Sequence, residues 1–182
     1  KFVNADIFDD VFNNEVFDFI WTNGVLHHTK NPKLAFDMIS NYLKKDGYIL
    51  VGLYNRYGRL RTLIRRFLFK IFGKSIVMIL DPTLRNIKKK NKEQIKSWIR
   101  DQYEHPVESL HTLDEVLNWF KNNNIEFINS IPKCRVDDQY SNSLFAKSSK
   151  GSIISRFFSQ ISMLFNNLGS DGGLFVVIGK KK

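Results

Sequence analysis

The sequence has a single cysteine, Cys134, and four prolines, and nowhere does it approach the ~20 consecutive apolar residues of a bilayer span. One thiol excludes a disulfide framework within the chain and fits a reducing, cytoplasmic setting. Cys134 itself reads as a small packed side chain rather than a reactive one. The longest apolar stretches, Ser75–Leu80 and Leu174–Ile178, have the length of helix turns or strands, and no signal-peptide pattern opens the chain. An initiating methionine is also lacking: the sequence starts at Lys1 and enters the strand-like Phe2-Val3-Asn4-Ala5 at once, as if cut from something longer. Acid is missing from Arg56 to Lys74, a stretch holding seven basic residues, whereas residues 1–20 carry five acids against Lys1.

What is present suits one domain. There are 182 residues, 43% hydrophobic, enough for a real core. The net charge of +10 can serve nucleic acid, an anionic membrane or an anionic substrate, or simply keep the surface solvated.

The chain is organised around Phe17-Asp18-Phe19-Ile20-Trp21-Thr22-Asn23-Gly24-Val25-Leu26-His27-His28-Thr29-Lys30-Asn31-Pro32. An apolar run that breaks at Asn-Gly and leads into a helix reads as a buried parallel strand of a βαβ unit. Ligands of such sheets sit outside the carboxyl ends of the strands, which points to residues 22–30. Gly24 lets backbone approach a ligand closely. His28, and less so His27, has the chemistry to take a proton from a substrate heteroatom. Two adjacent histidines without further ligands at zinc-like spacing do not make a metal site.

Pro32 suits a first helical turn, and Leu34, Ala35, Met38, Ile39, Tyr42 and Leu43 give that helix one buried face. Asp46-Gly47 reads as a turn and Tyr48–Leu53 as the next buried strand. Tyr54, Asn55 and Arg56 leave its carboxyl end and are expected in the wall of the site. A helix follows over Leu60–Phe72, with Leu60, Leu63, Ile64, Phe67, Leu68 and Ile71 on one face. Its simplest reading is a lid whose apolar face packs on the domain while the arginines stay in water. Contact of the basic segment 59–74 with an anionic membrane or with RNA is the alternative.

Further on, Asp81-Pro82 breaks the chain, Lys88-Lys89-Lys90 reads as a solvated face, and a helix runs from Lys92 to Glu104. His105, Glu108 and His111 invite a metal reading, but Pro106 and the irregular spacing oppose it, and no metal is expected. Thr112-Leu113-Asp114-Glu115 is a capping box that starts the next helix. A strand at Ile125–Ile131, a polar stretch at 132–152, a helix at Ile153–Asn167 and a strand at Leu174–Gly179 complete the chain.

The Phe17–Pro32 stretch resembles the fourth strand and following loop of class I S-adenosylmethionine-dependent methyltransferases, within them the bacterial type 11/12-like group. The resemblance continues through Leu43–Val51, Tyr54–Leu60, His105–Thr112 and Gly172–Gly179. It implies a Rossmann-like α/β fold whose last strand is antiparallel, with helical insertions after the fifth strand and between the last two strands. It implies one incomplete domain: core 1–53, basic helical lid or substrate-side insertion 54–111, and carboxyl-terminal helix and strands 112–182. S-adenosyl-L-methionine is the implied cofactor, with an unidentified methyl acceptor as partner.

By the same resemblance Asp6, with Ile7 beside it, matches the acid after the third strand that accepts from the adenine amino group; a strand-end turn cap is the plainer role. Asn23 and Gly24 also border the cofactor, and His105, Glu108 and His111 reach over the substrate. A histidine of the 27–28 pair helps build the loop over the cofactor. The glycine-rich G-x-G-x-G turn and the ribose-binding acid have no match in this chain, so the 182 residues are expected to bind cofactor poorly and to be inactive alone. Strand Phe2–Ala5, without its neighbours, must re-pair, dangle or be completed by another chain. The competing function is a non-catalytic basic module for RNA or an anionic membrane surface.

Overall fold

The computed structural model describes residues 2–87, 91–104, 107–135, 137–138, 143–165 and 173–182. Among the described residues, four strands form one sheet in the order β1 (Phe17–Asn23), β2 (Leu43–Tyr54), β4 (Leu174–Lys181), β3 (Ile125–Ile131). β1 and β2 are parallel, and β4 runs antiparallel to both β2 and β3. α1 (Pro32–Asn41) makes the β1-to-β2 crossover, with Asn31 capping it through Leu34 N–H and Pro32 in its first turn. Mixed α/β with a parallel pair and an antiparallel last strand is the Rossmann-like arrangement expected.

The main core lies between one face of the sheet and two helices, α1 and α6 (Leu113–Asn122). Alternate residues Ile49, Val51 and Leu53 of β2 meet Phe36 of α1 and Val116, Trp119 and Phe120 of α6. On the opposite face Leu50, Ile128 and Ile178 form a smaller cluster. Phe145 covers part of it, edge-on to Phe19 and Tyr48. Trp21 on β1 stands 60% exposed.

β2 begins earlier than expected. Leu43 already pairs with Phe17, and Asp46-Gly47 is not a terminal turn but an irregularity within the strand, with Asp46 at φ 64°. The ion pair of Asp46 with Lys180 across the sheet (2.7 Å) holds it there. Phe2–Ala5 is not a strand. The segment pairs with neither sheet edge and folds over the amino end of β1, where Phe12 packs edge-on against Phe17 and Tyr42.

After β2 come α2 (Leu60–Phe72), α3 (Lys74–Leu80), α4 (Pro82–Asn86) and α5 (Lys92–Tyr103). They share a second core of Val77, Leu84, Ile99 and Tyr103, with Phe69 of α2 against it. Asp81, 2% exposed, is its polar hub. One carboxyl oxygen caps α4 through Thr83 and Leu84, and the other accepts from Trp98 Nε1 (2.9 Å) and Tyr103 Oη (2.6 Å). Burial, then the Asp81 bond, pushes the Tyr103 phenol well above its ordinary range.

The expected helix at 60–72 forms with those bounds, but its orientation is the reverse of the lid reading. Leu60, Ile64, Phe67 and Ile71 point to solvent, 46–63% exposed, while Arg59 and Thr62 are buried. Arg59 and Arg66 turn inward because a carboxylate waits for them. Arg59 Nε and Nη2 bind the two oxygens of Glu108 at 3.0 and 2.8 Å, and Arg66 Nη2 binds the same carboxylate at 2.7 Å.

α7 (Ile153–Ser162) shows the same inversion. Ser159 and Gln160 are buried, whereas Ile153, Ile154, Phe157 and Phe158 are 43–71% exposed. Its inner face is held by polar bonds: Gln160 to Asn55, Ser155 and Ser159 to the carbonyls of Cys134 and Lys133, and Arg156 to Asp114.

Candidate active site

Three segments meet at the carboxyl ends of β1 and β2. The first is the turn after β1, where Gly24 has φ 76° and open space in the direction of a Cβ. A 3₁₀ turn at Leu26–His28 follows it. The second is Tyr54-Asn55-Arg56, and the third is the strap 107–111. His111 N–H donates to the Tyr54 carbonyl and Arg56 N–H to the His111 carbonyl, both at 2.9 Å, so the strap extends the sheet beside β2. Ser109 N–H donates to the His27 carbonyl (2.9 Å), tying the strap to the turn as well.

The structure therefore gathers His28, Tyr54, Asn55, Arg56, Glu108 and His111 around one mouth. His28 is half-buried, and its Nδ1 lies 2.9 Å from the Val107 carbonyl. A carbonyl only accepts, so Nδ1 donates and the neutral ring has Nε2 as its acceptor. The Tyr54 ring is contacted by His27 at 4.1 Å and by the Arg59 guanidinium at 3.7 Å. Burial raises the Tyr54 phenol above its ordinary value, and its oxygen accepts from Gln102 Nε2 at 3.2 Å.

Asn55 is wholly buried. Its Oδ1 accepts from the backbone of Tyr57 and Gly58, and its Nδ2 donates to Gln160 Oε1 at 2.9 Å. Arg56 is exposed beside Glu115. Glu108 is buried beneath the mouth, with Arg59 and Arg66 on its carboxylate. His111 bridges Ser109 Oγ (2.8 Å) and Glu115 (2.9 Å). Burial would raise the Glu115 carboxyl, but the His111 bond and charge outweigh it and hold the group below the usual carboxylate range. His105 lies outside the described residues.

Asn23 sits at the end of β1 with its side chain across Gly52 of β2; a Cβ at position 52 would fall 1.8 Å from Asn23 Oδ1. Asp6 and Ile7 are elsewhere. They line a cavity of about 310 Å³ with Val3, Phe12, Phe17 and Tyr42, at the amino end of β1. Six residue steps along the strand separate Phe17 from Asn23, or about 20 Å at ~3.3 Å each. Asp6 is exposed and its Oδ1 accepts from Phe8 N–H (3.0 Å), the turn-cap geometry. Among the described residues no group of His, Cys, Asp and Glu is placed to hold a metal.

Sequence reasoning missed Arg59, Arg66, Gln102 and Gln160 as structural partners of the site. Each is a polar residue on, or capping, a helix that reads as amphipathic, and the partner that draws it inward is 42–105 residues away. No local signal carries that information.

A crossover helix, a parallel pair and a mouth at the strand ends define the Rossmann-like α/β class. Within that class, the family profile described as "Methyltransferase domain" matches residues 1–130, and the chain belongs to this methyltransferase family. Membership supports S-adenosyl-L-methionine as the cofactor. Among solved structures, PKMT2 from Rickettsia typhi is similar in fold, with a TM-score of 0.61 at 10% identity, over 98% of this chain and 38% of that one. A SAM-dependent methyltransferase from Methanosarcina mazei aligns at TM-score 0.48 and 14% identity, over 97% of this chain and 65% of its own. One from Thermotoga maritima aligns at 0.45 and 15%, over 99% and 63%. The chain thus spans 38–65% of the length of these three structures. None of the described helices is long and apolar enough to cross a membrane.

Proposed function

We propose that this chain is the carboxyl-terminal, acceptor-side part of an S-adenosylmethionine-dependent methyltransferase. The observation that carries this reading is the meeting of the His27-His28 turn, Tyr54–Arg56 and the 107–111 strap at the carboxyl ends of a parallel pair. The cofactor supplies an electrophilic methyl group on a sulfonium. The residues of this chain need only hold the acceptor in line with it and manage its proton.

Gly24 and Asn23 border the cofactor, and Tyr54, Asn55, Arg56, His105, Glu108 and His111 form the acceptor wall. Of these, Asn55 and Glu108 act through their neighbours, by fixing the Tyr57-Gly58 backbone and Arg59. His28, its Nδ1 engaged by Val107, takes the acceptor proton on Nε2. Asp6 and Ile7 join the cofactor only if segment 2–16 is laid along the sheet so that Asp6 reaches the mouth. The sequence lacks a glycine-rich phosphate-type turn, which supports weak cofactor binding by these 182 residues alone.

Calorimetric titration of S-adenosylhomocysteine into the 182-residue chain tests the last point: no micromolar binding is expected, and micromolar binding would overturn it. In a cofactor-competent protein carrying this sequence, His28→Ala should lower kcat while leaving cofactor affinity unchanged. An unaltered kcat removes the proton role. The second reading, a non-catalytic module, draws support from the outward apolar stripe of α2.

A further inference from the structure

α2 and α7 each bury polar side chains while showing a line of apolar ones to solvent, an arrangement that water alone does not favour. The segment leading into α2 touches α7: Tyr57 packs edge-on against Phe157 at 5.5 Å, and Asn55 bonds Gln160. At 3.6 residues per turn, Leu60, Ile64, Phe67 and Ile71 fall on one line, with exposed Arg61 on one flank and exposed Lys70 on the other. Lys74, also exposed, follows at the start of α3. From Arg56 to Leu80 there is no acid, and from Gln139 to Ser170, the stretch that contains α7, there is none either.

We infer that the outward faces of α2 and α7 form a docking surface for an anionic lipid bilayer, with the apolar side chains in the headgroup boundary and Arg61, Lys70 and Lys74 on acidic headgroups. Apolar residues in the centre and cations on both flanks is the profile of a helix lying in the interface plane. A second copy of the chain is a poor occupant, because it would bring the same exposed cations, Arg61, Lys70 and Lys74, against these. RNA is also a poor occupant: the aliphatic Leu60, Ile64 and Ile71 lie along the centre of the stripe, where a nucleic-acid groove needs cations and stacking rings. Both helices sit at the carboxyl ends of the strands, so the mouth would open near the lipid surface. The inference does not depend on methyl transfer.

Co-sedimentation of the 182-residue chain with vesicles tests it, using phosphatidylcholine alone against an equimolar mixture with phosphatidylglycerol. Binding is expected on the mixed vesicles and to be much weaker on phosphatidylcholine. Arg61→Gln with Lys70→Gln should weaken binding roughly 30-fold, at ~1 kcal/mol per cation. Phe67→Ser with Phe158→Ser should weaken it about tenfold or more. Both phenylalanines are mostly exposed, so these substitutions leave the cores intact. Absence of vesicle binding overturns the inference, as does binding that all four substitutions leave unchanged. Salt-sensitive binding to RNA without vesicle binding, or a dimer in solution that Phe67→Ser dissolves, overturns it in favour of the other occupant.

Discussion

Arg59 and Glu108, 49 residues apart, form a two-pronged ion pair from which water is excluded, the guanidinium side chain wholly buried and the carboxylate 4% exposed. The pair fastens the start of α2 to the strap across the mouth. It also explains why α2 shows its apolar side to solvent: the helix cannot rotate without pulling the Arg59 and Arg66 charges away from the Glu108 carboxylate.

Glu108→Gln keeps the shape and removes the charge, leaving Arg59 and Arg66 facing a neutral amide. Breaking one side of a buried pair costs about 3–5 kcal/mol. Urea unfolding of the variant should show a loss of that order, and a loss below about 1 kcal/mol would mean the pair is solvated in practice.

Gln160 Oε1 accepts from both Asn55 Nδ2 and Leu113 N–H at 2.9 Å. Gln160→Ala strands two buried donors, for a destabilisation of about 1–3 kcal/mol per unsatisfied group. Amide hydrogen exchange should accelerate at Leu113 specifically. Protection unchanged at that amide would show that another acceptor takes over.

Tyr103 gives a pH signature. Its folded value is raised by burial and by Asp81, so the stability it contributes is complete below the unfolded phenol value, about 10. That stability is lost as pH climbs from there toward the folded value. Tyr103→Phe should therefore flatten the alkaline limb of the stability curve, even though it lowers the plateau by removing the Asp81 bond. Parallel limbs in the two proteins would refute the linkage.

Thr112 caps α6 through Glu115 N–H at 3.2 Å, with Asp114 and Glu115 in the first turn. Thr112→Ala should cost about 1 kcal/mol in thermal or chemical unfolding. Thr112→Ser should cost far less.

Much of the fold was legible because its signals are local. Pro32 and the Thr112 capping box mark helix starts, Asp81-Pro82 marks a break, and periodicity gave α2 and β3 their bounds. Periodicity tells that a helix has two different faces, not which one the protein will bury. For α2 and α7 the choice was made by Glu108, Asn55 and Asp114, polar partners far away in sequence. The mouth was legible for a similar reason: strand ends are local features, and Tyr54–Arg56 and His28 follow from them. Asp6 depends on strand neighbours that this sheet does not provide, and its segment folds over the amino end of β1 instead.

The overlap at Gly52 has an evolutionary reading. Asn23 occupies the volume that any side chain at position 52 would need. The two positions are therefore not free to drift separately. A lineage that acquires alanine at 52 must first shrink or redirect residue 23, and with it the polar group at the mouth. An asparagine kept at 23 must swing its exposed amide off the neighbouring strand before any side chain fits at 52.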